Sequence, residues 1–317
     1  MHSKHICTAV IILSIIFQTG LSITQQAESY NLRLNLNAGD SFTQKVTTTQ
    51  EVLQTVLGME QEINQNVELD FHYFVESVDY NRAARVRVTF KDLYITISGL
   101  TETMEYNSRN RSQNIPPFLR GFSTLVGKSF TMSLTSTARV IQASGLRDIF
   151  AEAASQSGQG GDLFQQTLYS GIASQFNDET IALMMENMFA IYPDRPVRKG
   201  ESWSKYTEIE KGIRSIEKST FTLKKTDRNF YEIDLKGNIE PVAKNERRAS
   251  GLGELNFNLT GTKQGTLKIR ISDGWVAEGK VTQKLNGSID IAGLGAENLS
   301  IPISIIQTTT YSSPGRE

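Results

Sequence analysis

Three times the chain runs glycine, any residue, serine, aromatic, and each time an alternating stretch follows: Gly39-Asp40-Ser41-Phe42, Gly127-Lys128-Ser129-Phe130 and Gly200-Glu201-Ser202-Trp203. Repetition of this kind reports architecture, because one supersecondary unit reused along a chain keeps its local signature. Glycine supplies the turn, serine ties local backbone through its hydroxyl, and the aromatic ring anchors the first inward position of a strand. The copies at 39 and 200 are predicted to open two β-lobes. The copy at 127 is predicted to restart the first lobe after a short helix at about 115–126, where Phe118, Phe122 and Leu125 recur at helical spacing after Pro116-Pro117.

The pattern between these marks is strand-like. Leu32, Leu34 and Leu36 alternate with Arg33 and Asn35, and Val86, Val88 and Phe90 alternate with Arg85, Arg87 and Thr89. Such period-two patterning predicts antiparallel strands with one wet face. Leu267, Ile269 and Ile271 alternate likewise before Asp273-Gly274, a hairpin signal with Trp275 beginning the return. Ile301 to Tyr311 is predicted to close the sheet, with Pro302 marking an edge or a strand start. Between Gly145 and Ile191 the period changes to 3.6. Helices are expected at 146–154, 163–176 and 179–190, the first two separated by the glycine-rich Ser157 to Gly161. The fold class is therefore β-dominated α+β: two similar curved antiparallel lobes, 23–145 and 193–317, with a helical insert at 146–192, forming one integrated domain.

At the N-terminus Lys4 precedes an apolar run from Ile6 to Phe17, and Gly20-Leu21-Ser22 offers small residues for cleavage. That arrangement predicts a signal peptide over 1–22. The apolar run is too short to span a bilayer, which takes about 20 residues. The only cysteine, Cys7, sits inside this segment, so neither lipidation nor disulfides are expected of the remainder. Removing the segment also removes His2 and His5 and leaves His72 alone. One histidine and no thiol exclude Cys-His catalysis and multi-His or thiolate metal sites within one chain. No cofactor is expected. With 33 basic and 34 acidic residues there is no basic surplus to neutralise phosphates, so nucleic acid is not an expected partner.

Three motifs invite catalytic readings and fail on spacing. Gly39-Asp40-Ser41 superficially resembles a hydrolase Gly-Asp-Ser, but His72 follows only 31 residues later, inside a predicted strand. Gly200-Glu201-Ser202-Trp203-Ser204 misses the nucleophile elbow because position 204 is serine. Gly121 to Ser129 places five residues between its glycines, where a phosphate loop needs four, and a strand follows. More suggestive is a stripe of Met184, Met185, Met188 and Phe189 on the third predicted helix. Methionine adapts to irregular apolar partners, in ordinary cores as well as on binding surfaces. With Phe118 and Phe122 these residues are the candidate ligand-lining set.

The segment Val197 to Trp203 after Pro193 and Pro196, together with Gly127 to Phe130 leading to Val140 and Gly145-Leu146, resembles an uncharacterised family of secreted bacterial proteins. The family is domain of unknown function 6263, common in the Bacteroidota. The resemblance implies an envelope or secreted setting and supplies no catalytic residues. The expectation is a non-enzymatic periplasmic or secreted binding module for an apolar ligand. Two other readings stay open. One is a structural or protein-interaction module of the cell envelope, acting through loops such as Thr101 to Asn114. The other is a hydrolase using paired carboxylates, although no spacing points to a pair.

Overall fold

The computed structural model describes residues 28–56, 58–99, 102–157, 191–209, 215–242, 249–250, 253–292 and 299–316. The predicted signal peptide and the helices expected at 163–176 and 179–190 lie outside them. The described chain is dominated by antiparallel strands, with little helix. The first half contributes β1 (Ser29–Tyr30), β2 (Ser41–Val56), β3 (Met59–Val78), β4 (Ala84–Ser98), β5 (Met104–Asn107), β6 (Ser129–Leu134) and β7 (Val140–Ser144). The second half contributes β8 (Val197–Arg198), β9 (Ser202–Ile209), β10 (Ser215–Thr226), β11 (Phe230–Pro241), β12 (Ala249–Ser250), β13 (Gly253–Arg270), β14 (Val276–Ala292) and β15 (Leu299–Ser312). A 3-10 turn, Pro117–Leu119, runs into α1 (Arg120–Ser123), and α2 (Leu146–Ser157) follows β7.

The two halves share one sheet. Its strands run in the order β7-β6-β4-β3-β2-β15-β14-β13-β11-β10-β9, and the seam is the pairing of β2 with β15, from Lys45 opposite Ser312 to Gln54 opposite Ile303. Pro302 sits one residue beyond that seam, so its missing N–H breaks no bond to β2. One face, here called inner, carries the buried side chains. Phe42 and Val46 on β2, Tyr73 on β3, Val88 on β4, Phe221 on β10 and Leu267 on β13 all belong to one core. Gln44 on β2 and Lys205 on β9 are separated by six strand spacings, about 29 Å on a flat sheet, yet they line the same cavity. The sheet therefore curls strongly around its inner face. The outer face is wet and carries cross-strand ion pairs, such as Lys45–Glu68 at 2.5 Å and Glu76 between Arg85 and Arg87.

Each repeated motif performs the same operation. Gly39, Gly127 and Gly200 all take positive φ (91°, 82° and 85°). Each donates its N–H to a neighbouring strand, at Val75, Phe90 and Leu223, and each of those residues donates back to the residue after the glycine. The serines then open β2, β6 and β9. Ser129 and Ser202 bond the hydroxyls of Thr89 and Thr222 across the ladder at 2.8 Å. The aromatics turn inward: Phe42 is fully buried, Phe130 nearly so, and Trp203 stacks on Phe221.

One expected strand is absent. Leu32, Leu34 and Leu36 are buried as predicted, but residues 31–37 pair with no strand. They form a strap across one end of the curled sheet. Leu34 N–H donates to Ser136 in the β6–β7 turn, and Asn35 N–H donates to Asp273 in the β13–β14 turn. The alternation has a different cause here: leucines point into the core while the intervening residues meet turns and solvent. Helix α2 confirms the first predicted helix, whereas the predicted 115–126 helix shrinks to the 3-10 turn and α1. The polar stretch 101–114, expected as loop, contains β5, which pairs with the upper part of β4.

The strap end of the molecule is built around Trp275, which stacks on Phe42 at 4.9 Å and meets Tyr73 edge-on at 4.9 Å. Buried Asp273 accepts from Arg270 Nε at 2.8 Å and from the Trp275 N–H at 2.8 Å, fixing the turn that presents the ring. Gly274 has positive φ, and a Cβ there would lie 1.9 Å from the Arg33 carbonyl oxygen. Around Gly127, by contrast, a Cβ would meet nothing within 4 Å. Substituting Gly127→Ala is therefore expected to cost about 1–2 kcal/mol, the left-handed backbone penalty alone. Gly274→Ala is expected to cost more, because the strap must also move. Urea unfolding of the two variants checks the order.

Candidate functional site

The inner face divides into zones that follow from strand register. Side chains directly opposite each other on paired strands share a face, so rows can be traced across the sheet. Toward the strap end the rows are apolar and packed: Leu69, Val46, Tyr311, Leu267, Ile233 and Leu223 form one such row, with Gly279 between Tyr311 and Leu267. Two rows further on the chemistry changes. Gln65, Gln50, Gln307 and Gln283 stand opposite one another across β3, β2, β15 and β14. The row continues through Lys263, Gly237, Ser219 and Lys205. Beyond this polar belt the inner face turns apolar again, with Ile63, Val52, Ile305, Leu285 and Ile239 in the next row. Further out lie Val56, Ile301, Ile289 and Phe257, all partly exposed among the described residues.

The belt is electrically balanced. Lys263 Nζ lies 2.7 Å from Glu217 Oε1, which also accepts from Ser219 Oγ at 2.6 Å. Lys205 Nζ lies 3.3 Å from Asp194. The Lys263 and Glu217 side chains are only 17% and 16% exposed, so removing either partner would leave the other poorly solvated.

Beneath the charged end of the belt lies a cavity of about 60 Å³. Tyr192, Trp275, Leu267, Phe221 and Tyr311 form much of its wall. That is room for a few water molecules, well short of the roughly 300–1,000 Å³ of a small-molecule pocket. The packed end is thus filled, while beyond the belt the inner face mixes buried Ile239, Leu259 and Ile303 with Ile63, Val52, Ile305 and Leu285, which are only partly buried. Glycines contribute to this asymmetry. Gly237, Gly261, Gly265 and Gly279 all occupy inner-face positions of the second half. A Cβ at Gly261 would lie 2.0 Å from the Lys284 carbonyl oxygen, so the curl of β13 against β14 leaves no space for one.

The candidate residues from sequence fall in different places. Met184, Met185, Met188 and Phe189 lie outside the described residues. Phe118 falls in the 3-10 turn, and Phe122 in α1 packs against the core beside buried Leu119 and Leu125. The structure also joins two residues that the spacing argument had separated: Ser41 Oγ and His72 Nε2 are 2.7 Å apart. They sit on the outer face, at the start of β2 and beside it on β3. The backbone amides around them serve the β2–β3 ladder and the 37–40 turn. What sequence reasoning missed is the belt. Its signal was present as glutamines at inward positions of alternating segments, but the row becomes visible only once register is known.

Burial raises the phenol of Tyr311 to about 12 from an ordinary 10.0, helped by the negative charge of Glu217. Burial also holds Tyr73 and Tyr192 well above the usual tyrosine range. The folded chain therefore holds the Tyr311 proton more tightly than the unfolded chain does. The sign follows: this stabilisation is complete below pH 10.0 and is lost as pH rises toward about 12. Stability measured by urea unfolding is expected to fall across that window, and Tyr311→Phe is expected to flatten the fall.

Among the described residues the architecture is thus one large, strongly curled antiparallel sheet beside the short β1–β8 pair, with a packed end and a mainly apolar inner surface beyond a polar belt. The chain belongs to the family of unknown function DUF6263, whose model matches residues 81–276. No curated protein matches the sequence. Among solved structures, one of lipovitellin, described as showing lipid–protein interactions in lipovitellin, is similar over 89% of this chain at 10% identity and a TM-score of 0.46. This chain spans 26% of that one, and a likeness of that strength carries no functional argument. Among the described residues no helix is long and apolar enough to cross a membrane.

Proposed function

We propose that the protein is a non-enzymatic periplasmic or secreted binding module that carries an apolar ligand on the inner face of its sheet, beyond the polar belt. The observation that supports this reading is the unequal filling of that face. On the strap side of the belt, aromatic and aliphatic side chains close around a space of about 60 Å³. On the other side, Ile63, Val52, Ile305 and Leu285 present apolar surface that is only partly buried among the described residues. Burying such surface against a ligand yields roughly 25 cal/mol per Å². From the belt to Val56 the surface runs six residues along β2, about 20 Å at 3.4 Å per residue, and its one polar interruption on β2, Gln54, is satisfied by Gln61 at 3.0 Å; that length suits an acyl chain.

The test is a titration of delipidated protein with a fluorescent acyl probe, alongside native mass spectrometry of protein purified without detergent. Leu285→Asp places a charge within the proposed surface and is expected to weaken probe binding at least about ten-fold, given the cost of burying an unpaired carboxylate. Leu53→Asp, on the outer face and 42% exposed, is expected to leave binding unchanged, with circular dichroism confirming that both variants fold. Protein that neither binds the probe nor copurifies with lipid would sink this reading.

A further inference from the structure

The polar belt has a composition that says what kind of ligand crosses it. On the inner-facing positions of β2 to β4, β9 to β11 and β13 to β15, the charged residues are Lys205, Glu217 and Lys263. All three are at the β9 end, and each is matched: Lys263 and Glu217 by one another, Lys205 by Asp194. No surplus charge remains to receive an ionic group. The middle of the belt consists of four glutamines, and a primary amide both donates and accepts without carrying charge.

These amides are not consumed by the fold. Gln44, nearer the packed end, donates to the Val276 carbonyl, and Gln54 donates to Gln61 at 3.0 Å two rows beyond the belt. Within the belt Gln307 makes only a long contact of 3.5 Å to Thr309. The side chains of Gln50, Gln65 and Gln283 make no hydrogen bond to another described residue, although each is partly buried. None of the three is among the described side chains buried without a partner, so solvent reaches their amides in the free protein, and a ligand covering the row must supply polar groups in place of that water. Their position is also informative. They lie between the filled end and the open apolar surface, so a chain lying on Val52, Ile305 and Leu285 would end against them.

We infer that the ligand is an uncharged single-chain amphiphile, bound head-inward, with hydroxyl, ester or amide groups on the glutamine row and its chain along the apolar surface beyond. This rests on the apolar-ligand reading above and narrows it to a headgroup class. An anionic head such as a fatty-acid carboxylate would meet amides and already neutralised lysines, and would be desolvated without a counter-charge.

The experiment is competition for the bound acyl probe by three ligands of equal chain length: a monoacylglycerol, a fatty acid and an alkyl ammonium. The monoacylglycerol is expected to compete at least about ten-fold better than either ion, the equivalent of one to two net hydrogen bonds. The double variant Gln50→Leu/Gln283→Leu is expected to weaken the monoacylglycerol about ten-fold relative to the acyl probe, with circular dichroism checking that the variant folds. Gln283→Lys is expected to reverse the order in favour of the fatty acid. A wild-type preference for the fatty acid or the ammonium, or a monoacylglycerol affinity unmoved by the double variant, would overturn the headgroup assignment and leave the apolar-ligand reading standing. Failure of the probe to bind wild-type protein would overturn both.

Discussion

Pairing between β2 and β15 is the constraint on which the architecture depends. Each half supplies three long neighbouring strands, β2 to β4 and β13 to β15, and each alone would end in an open edge at the seam. An unpaired edge that long is a liability for a β protein. Joining the two removes both edges at once and puts the first and last long strands of the chain side by side. It also fixes the register of every row across the sheet, since a slip of one residue would turn each inward side chain outward. Phe42, Trp275 and Tyr73 meet at the packed end because that register holds. The four glutamines share a row for the same reason.

Much of this was legible in the chain. Period two located most of the strands, and the three Gly-x-Ser-aromatic copies fell at strand starts with the same glycine conformation and the same reciprocal backbone bonds. What escaped was long-range partnership. Leu32, Leu34 and Leu36 alternate as a strand does, yet no neighbouring strand accepts them, and alternation alone cannot distinguish a ladder from a strap whose leucines enter a core. The expected pair of lobes became one sheet because nothing local in Thr47 to Gln54 reveals that its partner is Ile303 to Thr310. The glutamine belt was hidden for the same reason: its members are 15 to 257 positions apart in sequence. Ser41 and His72 show the converse case, in which a spacing of 31 residues looked unpromising and a hairpin brought the side chains together.

Physical asymmetry between the halves gives the inner face its character. The first half fills its inward positions with Phe71, Tyr73, Phe90 and Phe130. The second half leaves several of them as glycine, and there the tight curl of β13 and β14 takes up the space. The Lys263–Glu217 pair lies in that region, opposite Gly237 and Ile239 of β11.

The strap has a consequence for how the chain reaches its folded state. Leu34 and Asn35 are held by the turn at 135–138 and the turn at 271–275, and Gly274 packs without a Cβ against Arg33. Residues near the start of the described chain therefore acquire their native surroundings only after residue 275 has been synthesised. Contacts so distant in sequence demand costly loop closure and slow folding. Until they form, the three leucines of the strap stay outside the core they complete, and the end of the sheet around Trp275 stays uncovered.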